Sequence, residues 1–272
     1  MLDNNNFFYD DQFPIQPGLE YGNNYCEKKI EWNPITKNTA IFYQFSLSPG
    51  SQKEIQIAPD GCMEVIFHCD PYNPKAVIYG KKTTGKLISF ETGYDYFGFR
   101  PYDELGMKQT NALLKELNDG EIDFAELYPD GVSVLEKICG QGTFEDKISI
   151  FQNYLKSRLI DFEYESDFVF DCNDKICRSN GSVSTNELSK YVGYSERYIQ
   201  KKFDDLFGIS PKQYSDIIKL QRSLHLLFKT SSDQSDITYE LGYYDQPHLI
   251  NKFRRMGLSS PRKFKQSILT TG

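Results

Sequence analysis

Apolar positions change their period partway along the chain. Up to about residue 98 they fall in short runs, at 40–47, 54–57, 63–68, 76–79 and 87–90. These runs are rich in aromatic and β-branched residues, and Pro49-Gly50 and Pro59-Asp60-Gly61 punctuate them. Such runs predict strands, and several short strands at this spacing predict a small barrel or sandwich. Beyond about residue 100 the apolar positions recur every three or four residues. Segments 110–117 and 143–156 therefore read as amphipathic helices. Thr143 and Asp146 form an imperfect capping pair at the start of the second. Residues 171–181, ending Ser-Asn-Gly, are polar and read as a linker.

The last ninety residues are helical in pattern and contain an internal repeat. Gly193-Tyr-Ser-Glu-Arg-Tyr-Ile-Gln-Lys-Lys-Phe203 is echoed by Gly242-Tyr-Tyr-Asp-Gln-Pro-His-Leu-Ile-Asn-Lys-Phe253. A short helical segment precedes each copy (185–192 and 237–241), with Ser184 and Asp236 as predicted caps. A Ser-Pro step follows each, Ser210-Pro211 and Ser260-Pro261, and a long helix over 212–229 joins the two. A short helix, a glycine-containing turn and a second helix make a helix-turn-helix pattern. Glycine suits that turn because a positive φ carries no steric penalty there.

Charge sharpens this division. The whole chain carries −7, yet residues 182–272 hold 14 Lys and Arg against 9 Asp and Glu. A basic end on an acidic chain suggests two units with different partners, one of them a polyanion. An aromatic content of 15% excludes global disorder. No apolar run is long enough to span a bilayer, and the first residues lack the pattern of a secretory signal. Six scattered cysteines fit reduced thiols and a cytoplasmic setting.

Residues 184–265 resemble the DNA-binding domain of AraC/XylS-type transcription regulators, most closely in the second copy and its Ser-Pro step. One departure stands out. The family's second glycine is expected at position 258, where this chain has Leu258 preceded by Gly257. More loosely, Pro59–His68 and Tyr96–Arg100 are similar to marker segments of the cupin-like sensor domains in that family. The resemblance implies an α+β chain in three parts. Residues 1–105 form a cupin-like β-barrel sensor, 106–181 a helical connector and linker, and 182–272 an all-α domain with two helix-turn-helix motifs. It further implies a sequence-specific regulator, in the activator sense, with double-stranded DNA as partner. RNA polymerase, a second copy of the chain and an unidentified small-molecule effector are the other expected partners.

Candidate site residues follow from helix geometry. Arg197, Gln200 and Lys201 share one face of the first recognition helix at i, i+3 and i+4. Arg and Lys donate to guanine and Gln pairs with adenine in the major groove. On the second helix the candidates are Gln246, His248, Asn251, Lys252, Arg254 and Arg255. Gln246 and Asn251 suit bases, Arg254 and Arg255 suit phosphates, and His248 reads equally as a packed residue. Ile199, Phe203, Leu249 and Phe253 form the buried stripe.

In the barrel, Glu64, Phe67 and Arg100 are candidate ligand contacts beside Trp32, Tyr43, Phe45, Tyr79 and Phe97, all of which also read as plain core. Catalysis is not expected. A metal-dependent cupin needs several converging histidines, and residues 1–181 hold only His68. No cofactor is implied. Cys172 with Cys177 and Cys62 with Cys69 could each be half of a zinc site, but they read as idle thiols. The alternative function is a cupin-like signal-binding or enzymatic protein that uses its helical tail for protein contacts.

Overall fold

The run at 40–47 becomes strand β2 (Asn38–Ser46), and it is apolar on both faces because both faces are covered. It lies between β1 (Cys26–Asn33) and β7 (Asp95–Pro101). The computed structural model of the protein describes residues 14–21, 24–33, 38–101, 117–140, 142–158 and 167–271. Together with β4 (Glu64–Cys69), β5 (Lys75–Tyr79) and β8 (Glu121–Asp123), these strands form an antiparallel six-stranded sheet in the order β1-β2-β7-β4-β5-β8. A separate two-stranded sheet pairs β3 (Glu54–Ile57) with β6 (Lys86–Ser89).

One face of the large sheet carries Phe42, Val65, Phe67, Phe97 and Phe99. It packs on helices α2 (Phe124–Leu127), α3 (Val132–Cys139) and α4 (Phe144–Arg158), with Phe151 edge-on to Phe67 and Phe99. The other face presents Ile41, Tyr43, Phe45, Ile66 and Tyr96 to the small sheet and to Leu19 of α1 (Pro17–Glu20). The α+β class is as the sequence implies. The barrel, however, is open among the described residues: the pairing order ends at β1 and β8 rather than closing, and the small sheet covers the inner face. The predicted helix at 110–117 lies outside the described residues apart from Leu117, as does the side chain of Trp32.

The C-terminal part is all helix. It comprises α5 (Asp167–Arg178), α6 (Thr185–Val192), α7 (Glu196–Phe207), α8 (Pro211–Lys229), α9 (Gln234–Glu240), α10 (Gln246–Arg255) and α11 (Pro261–Thr271). The stretch read as a linker at 171–181 is helical to Arg178. Phe168, Val169, Cys172 and Ile176 form its buried face and join the core of α6 to α11, so its polar residues are one exposed side. Ile15 and Ala58, from the sheet-containing part, are buried in that same core.

Candidate nucleic-acid interface

Local chemistry builds the two helix-turn-helix units alike. In the first, Ser184 and Glu187 form a reciprocal capping box that starts α6. Gly193 ends α6 at φ +76°, and Ser195 caps α7 by accepting from the Tyr198 amide. Ile199 and Phe203 are fully buried. With that face fixed inward, Arg197, Gln200 and Lys201 point to solvent, and no hydrogen bond or ion pair engages their side chains among the described residues.

In the second unit Asp233, not Asp236, is the cap. Its carboxylate accepts from the amides of Ser235 and Asp236, while Asp236 returns the bond as the third helical residue. The helix therefore starts a turn earlier than the apolar pattern at 237–241 suggests. Gly242 makes the turn at φ +63°, and Asp245 caps α10 through the His248 amide at 2.8 Å. Leu249 and Phe253 are buried, and Gln246, His248, Asn251, Arg254 and Arg255 are exposed.

Three of the predicted residues are engaged within the protein. The Lys252 ammonium lies 2.6 Å from Asp216 of α8 with its side chain 16% exposed, so it ties the recognition helix to the connector. His248 Nδ1 accepts from the Tyr244 amide at 3.3 Å, and its ring sits edge-on to Tyr243. Gln246 donates from Nε2 to Ser235 Oγ at 2.7 Å. The first unit has the same tether, from Asn186 Nδ2 to Glu196 Oε1 at 3.0 Å. Each recognition helix is thus held at its first residue by the helix before it.

Sequence reasoning passed over four exposed residues. Glu196 is a carboxylate at the head of α7, a group that can accept from cytosine N4. Tyr194 stands in the first turn, and Tyr239 and Tyr244 flank α10 with over nine-tenths of their surface exposed. Their place next to the turn glycines was the available signal. Aligning the caps Ser195 and Asp245 also shows an asymmetry: Asp204-Asp205 stand in the last turn of one helix where Arg254-Arg255 end the other.

The three ligand candidates of the sheet do not meet. Phe67 is on the face packed by α2 to α4, while Glu64 and Arg100 are on the opposite face. There they pair: Arg100 Nη2 lies 2.5 Å from Glu64 Oε1, Lys82 Nζ 2.8 Å from Oε2, and the Tyr43 hydroxyl donates at 2.6 Å, while Arg100 Nη1 is buried with no hydrogen-bond partner among the described residues. Tyr43 reaches the carboxylate because its ring crosses Gly98, where a Cβ would lie 2.0 Å from the ring. Burial alone would raise the Glu64 pKa, but Arg100 and Lys82 outweigh it and hold the carboxyl at about 2. Tyr43, Phe45, Phe97 and Tyr79 are core. Cys139 Sγ donates to His68 O at 3.7 Å, and the neighbouring Cys69 thiol together with burial raises the Cys139 pKa. Cys62 is buried beside Asp60. No group of three His, Cys, Asp or Glu side chains converges on a metal position among the described residues, and no helix among them is long and apolar enough to cross a membrane.

Residues 188–267 match the helix-turn-helix domain family. The chain is 30% identical over 84 residues to the HTH-type transcriptional activator RhaS of Enterobacter sp. (strain 638), and 27% identical over the same length to RhaS of Escherichia coli (strain K12 / DH10B). Each match covers 31% of this chain and 30% of the relative, so the likeness spans less than a third of the relatives' length. Among solved structures, an apo ToxT variant from Vibrio cholerae strain SCE256 is similar at a TM-score of 0.47 and 13% identity, covering 83% of this chain and 96% of that one. Fatty-acid-bound wild-type ToxT from the same strain has a TM-score of 0.40 at 12% identity, covering 89% and 93%. On the matched segment and its two capped, glycine-turned motifs, the C-terminal part of this chain is a helix-turn-helix domain.

Proposed function

We propose that the protein is a sequence-specific DNA-binding transcription regulator, acting as an activator in the cytoplasm. The observation that carries this reading is the duplicated, solvent-facing polar surface: Arg197, Gln200 and Lys201 on α7, and Asn251, Arg254 and Arg255 on α10. Both helices are rigidly capped, and both lie in the only part of the chain with a basic excess. The printed names of the RhaS relatives favour activation. In this reading the sheet-containing part, residues 1–105, is a sensor or self-association domain, residues 106–181 connect it, and 182–272 read DNA. Base reading falls to Arg197, Gln200, Lys201, Gln246 and Asn251. Arg254 and Arg255 grip phosphate, and His248 and Lys252 support the helix they stand on. RNA polymerase, a second copy and a small effector complete the partners. Glu64 and Arg100, being paired with each other in the interior, serve the scaffold in this reading, and the protein is not an enzyme.

The test is an electrophoretic shift with duplexes from the protein's own genomic neighbourhood, with and without cell extract. Binding that weakens steeply with salt supports the regulator. Absence of binding even at low salt favours the protein-contact alternative.

A further inference from the structure

A loop of the N-terminal sheet touches both recognition helices, and it does so at the ends that do not enter DNA. We propose that this loop, residues 80–85 between β5 and β6, is a positioning element: it fixes α7 and α10 relative to each other by holding both at their C-terminal ends. The inference rests on the DNA-reading function proposed above.

The loop is itself rigidly built. Gly80 donates to Gly120 O at 3.0 Å, and a Cβ on Gly80 would lie 1.9 Å from Leu117 O. The Asp119 carboxylate accepts from the amides of Thr83 and Thr84 and from the Thr83 hydroxyl, while the Asp119 amide donates to Lys81 O. Two adjacent lysines then run in opposite directions. Lys82 turns inward to the buried carboxylate of Glu64 and anchors the loop in the sheet. Lys81 turns outward to the helical domain.

At α7, the Lys81 ammonium donates to Phe207 O at 3.0 Å and lies 4.6 Å over the Phe207 ring. Asn118 Nδ2 donates to Gly208 O at 2.7 Å. Carbonyls at a helix end lack intrahelical partners, and a cation there also complements the helix dipole. At α10, Gly85 N donates to Met256 O at 2.7 Å. The approach is backbone to backbone. A Cβ on Gly85 would lie 2.9 Å from Gly257 O, and one on Gly257 would lie 2.8 Å from Gly85 N. This is where the chain departs from the family signature: the glycine one place early, Gly257 at φ +77°, is the residue that meets Gly85. The connecting helix is mounted on the same part. Gln221 of α8 accepts from Ile15 N at 2.9 Å and donates to Pro59 O at 2.8 Å.

Three mounts, on α7, α8 and α10, leave the groove-entering N-terminal ends free, since Arg197, Gln200, Gln246 and Asn251 are exposed. The N-terminal part therefore sets the spacing of the two heads rather than covering them. Joining two heads rigidly gains affinity only at the spacing that matches.

The test uses the full chain and a duplex selected by it from a random-sequence pool, with the gap between the two determinants varied by one or two base pairs. Wild type should prefer one spacing. Lys81→Met and Gly85→Asp should each lower that preference by about fivefold, the worth of one hydrogen bond. Affinity for a duplex bearing one determinant should not change, and Lys81→Arg should restore the preference. An unchanged spacing profile in both variants overturns the positioning role alone, whereas failure of wild type to bind any duplex overturns the DNA-reading function. Amide exchange on the free wild-type chain needs neither DNA nor a variant. Slow exchange at Gly85 is expected, and exchange as fast as an open loop would also overturn the proposal.

Discussion

Glu64 offers the sharpest perturbation of this scaffold. Its side chain is 1% exposed and faces two cations, Arg100 and Lys82, themselves 1% and 4% exposed. Glu64→Gln keeps the shape and one acceptor oxygen but removes the charge. Arg100 then keeps Asp60, whose carboxylate lies 3.5 Å from its Nε, as a counter-charge, while Lys82 loses its ion-pair partner. Removing one partner of a buried ion pair costs about 3–5 kcal/mol. In a chain of this size each kcal/mol lowers Tm by about 2–4 °C, so the variant should melt roughly 10 °C below wild type. Thermal and urea unfolding followed by circular dichroism at pH 7 reads this directly. Replacing all four groups together, as Glu64→Leu with Arg100→Met, Lys82→Met and Asp60→Asn, should cost less than Glu64→Gln alone, because no unpaired charge remains. A Glu64→Gln variant melting within about a degree of wild type would refute the reasoning.

Further outcomes follow from the same structure. Because the Glu64 pKa is held at about 2, below its ordinary 4.5, its contribution is fully present above pH 4.5 and lost as pH falls toward 2. Wild type should lose about 3 kcal/mol across that window, a loss Glu64→Gln lacks, as acid titration of stability would show. Arg197→Ala should weaken specific binding by about 1–3 kcal/mol and relax preference at one base position. Arg255→Ala should weaken all sequences alike and reduce the salt slope by about one, both read by titration at several salt concentrations. A fragment beginning at Asp167 should fold and bind DNA. One beginning at Ser182 loses Phe168, Val169, Cys172 and Ile176 from its core and should be less stable by at least roughly 5 kcal/mol in urea unfolding.

The recognition helices were legible in the sequence because several local signals agree there: the repeat, the turn glycines and the Ser-Pro steps. Strand β2 was legible because burial on both faces leaves an apolar run. Strand β1, Cys-Glu-Lys-Lys-Ile-Glu-Trp-Asn, was not, since it is a sheet edge whose residues from Cys26 to Lys29 are exposed. Helix α5 was half hidden by its polar side. The separation of Glu64 from Phe67 was readable in principle, as residues three apart in a strand point to opposite faces. The Lys252–Asp216 pair was not readable, because its partner is on another helix 36 residues away. Least legible of all is the contact of Gly85 with Met256, made through backbone atoms that leave no mark on side-chain pattern.

The central claim is that one chain docks two heads on DNA, and a change of phase between them tests it most directly. The connecting helix α8 has 19 residues, so it spans roughly 28 Å at about 1.5 Å per residue. With the offset of each recognition helix this approaches the roughly 34 Å of one DNA turn, placing α7 and α10 in successive major grooves. The selected site should be one asymmetric element with two short determinants about 10 base pairs apart. Inserting about 5 base pairs turns one determinant to the opposite face, where a stiff connector cannot follow. The account predicts that affinity of the full chain then falls to that of a single determinant, whereas equal affinity for the original and lengthened sites would contradict it.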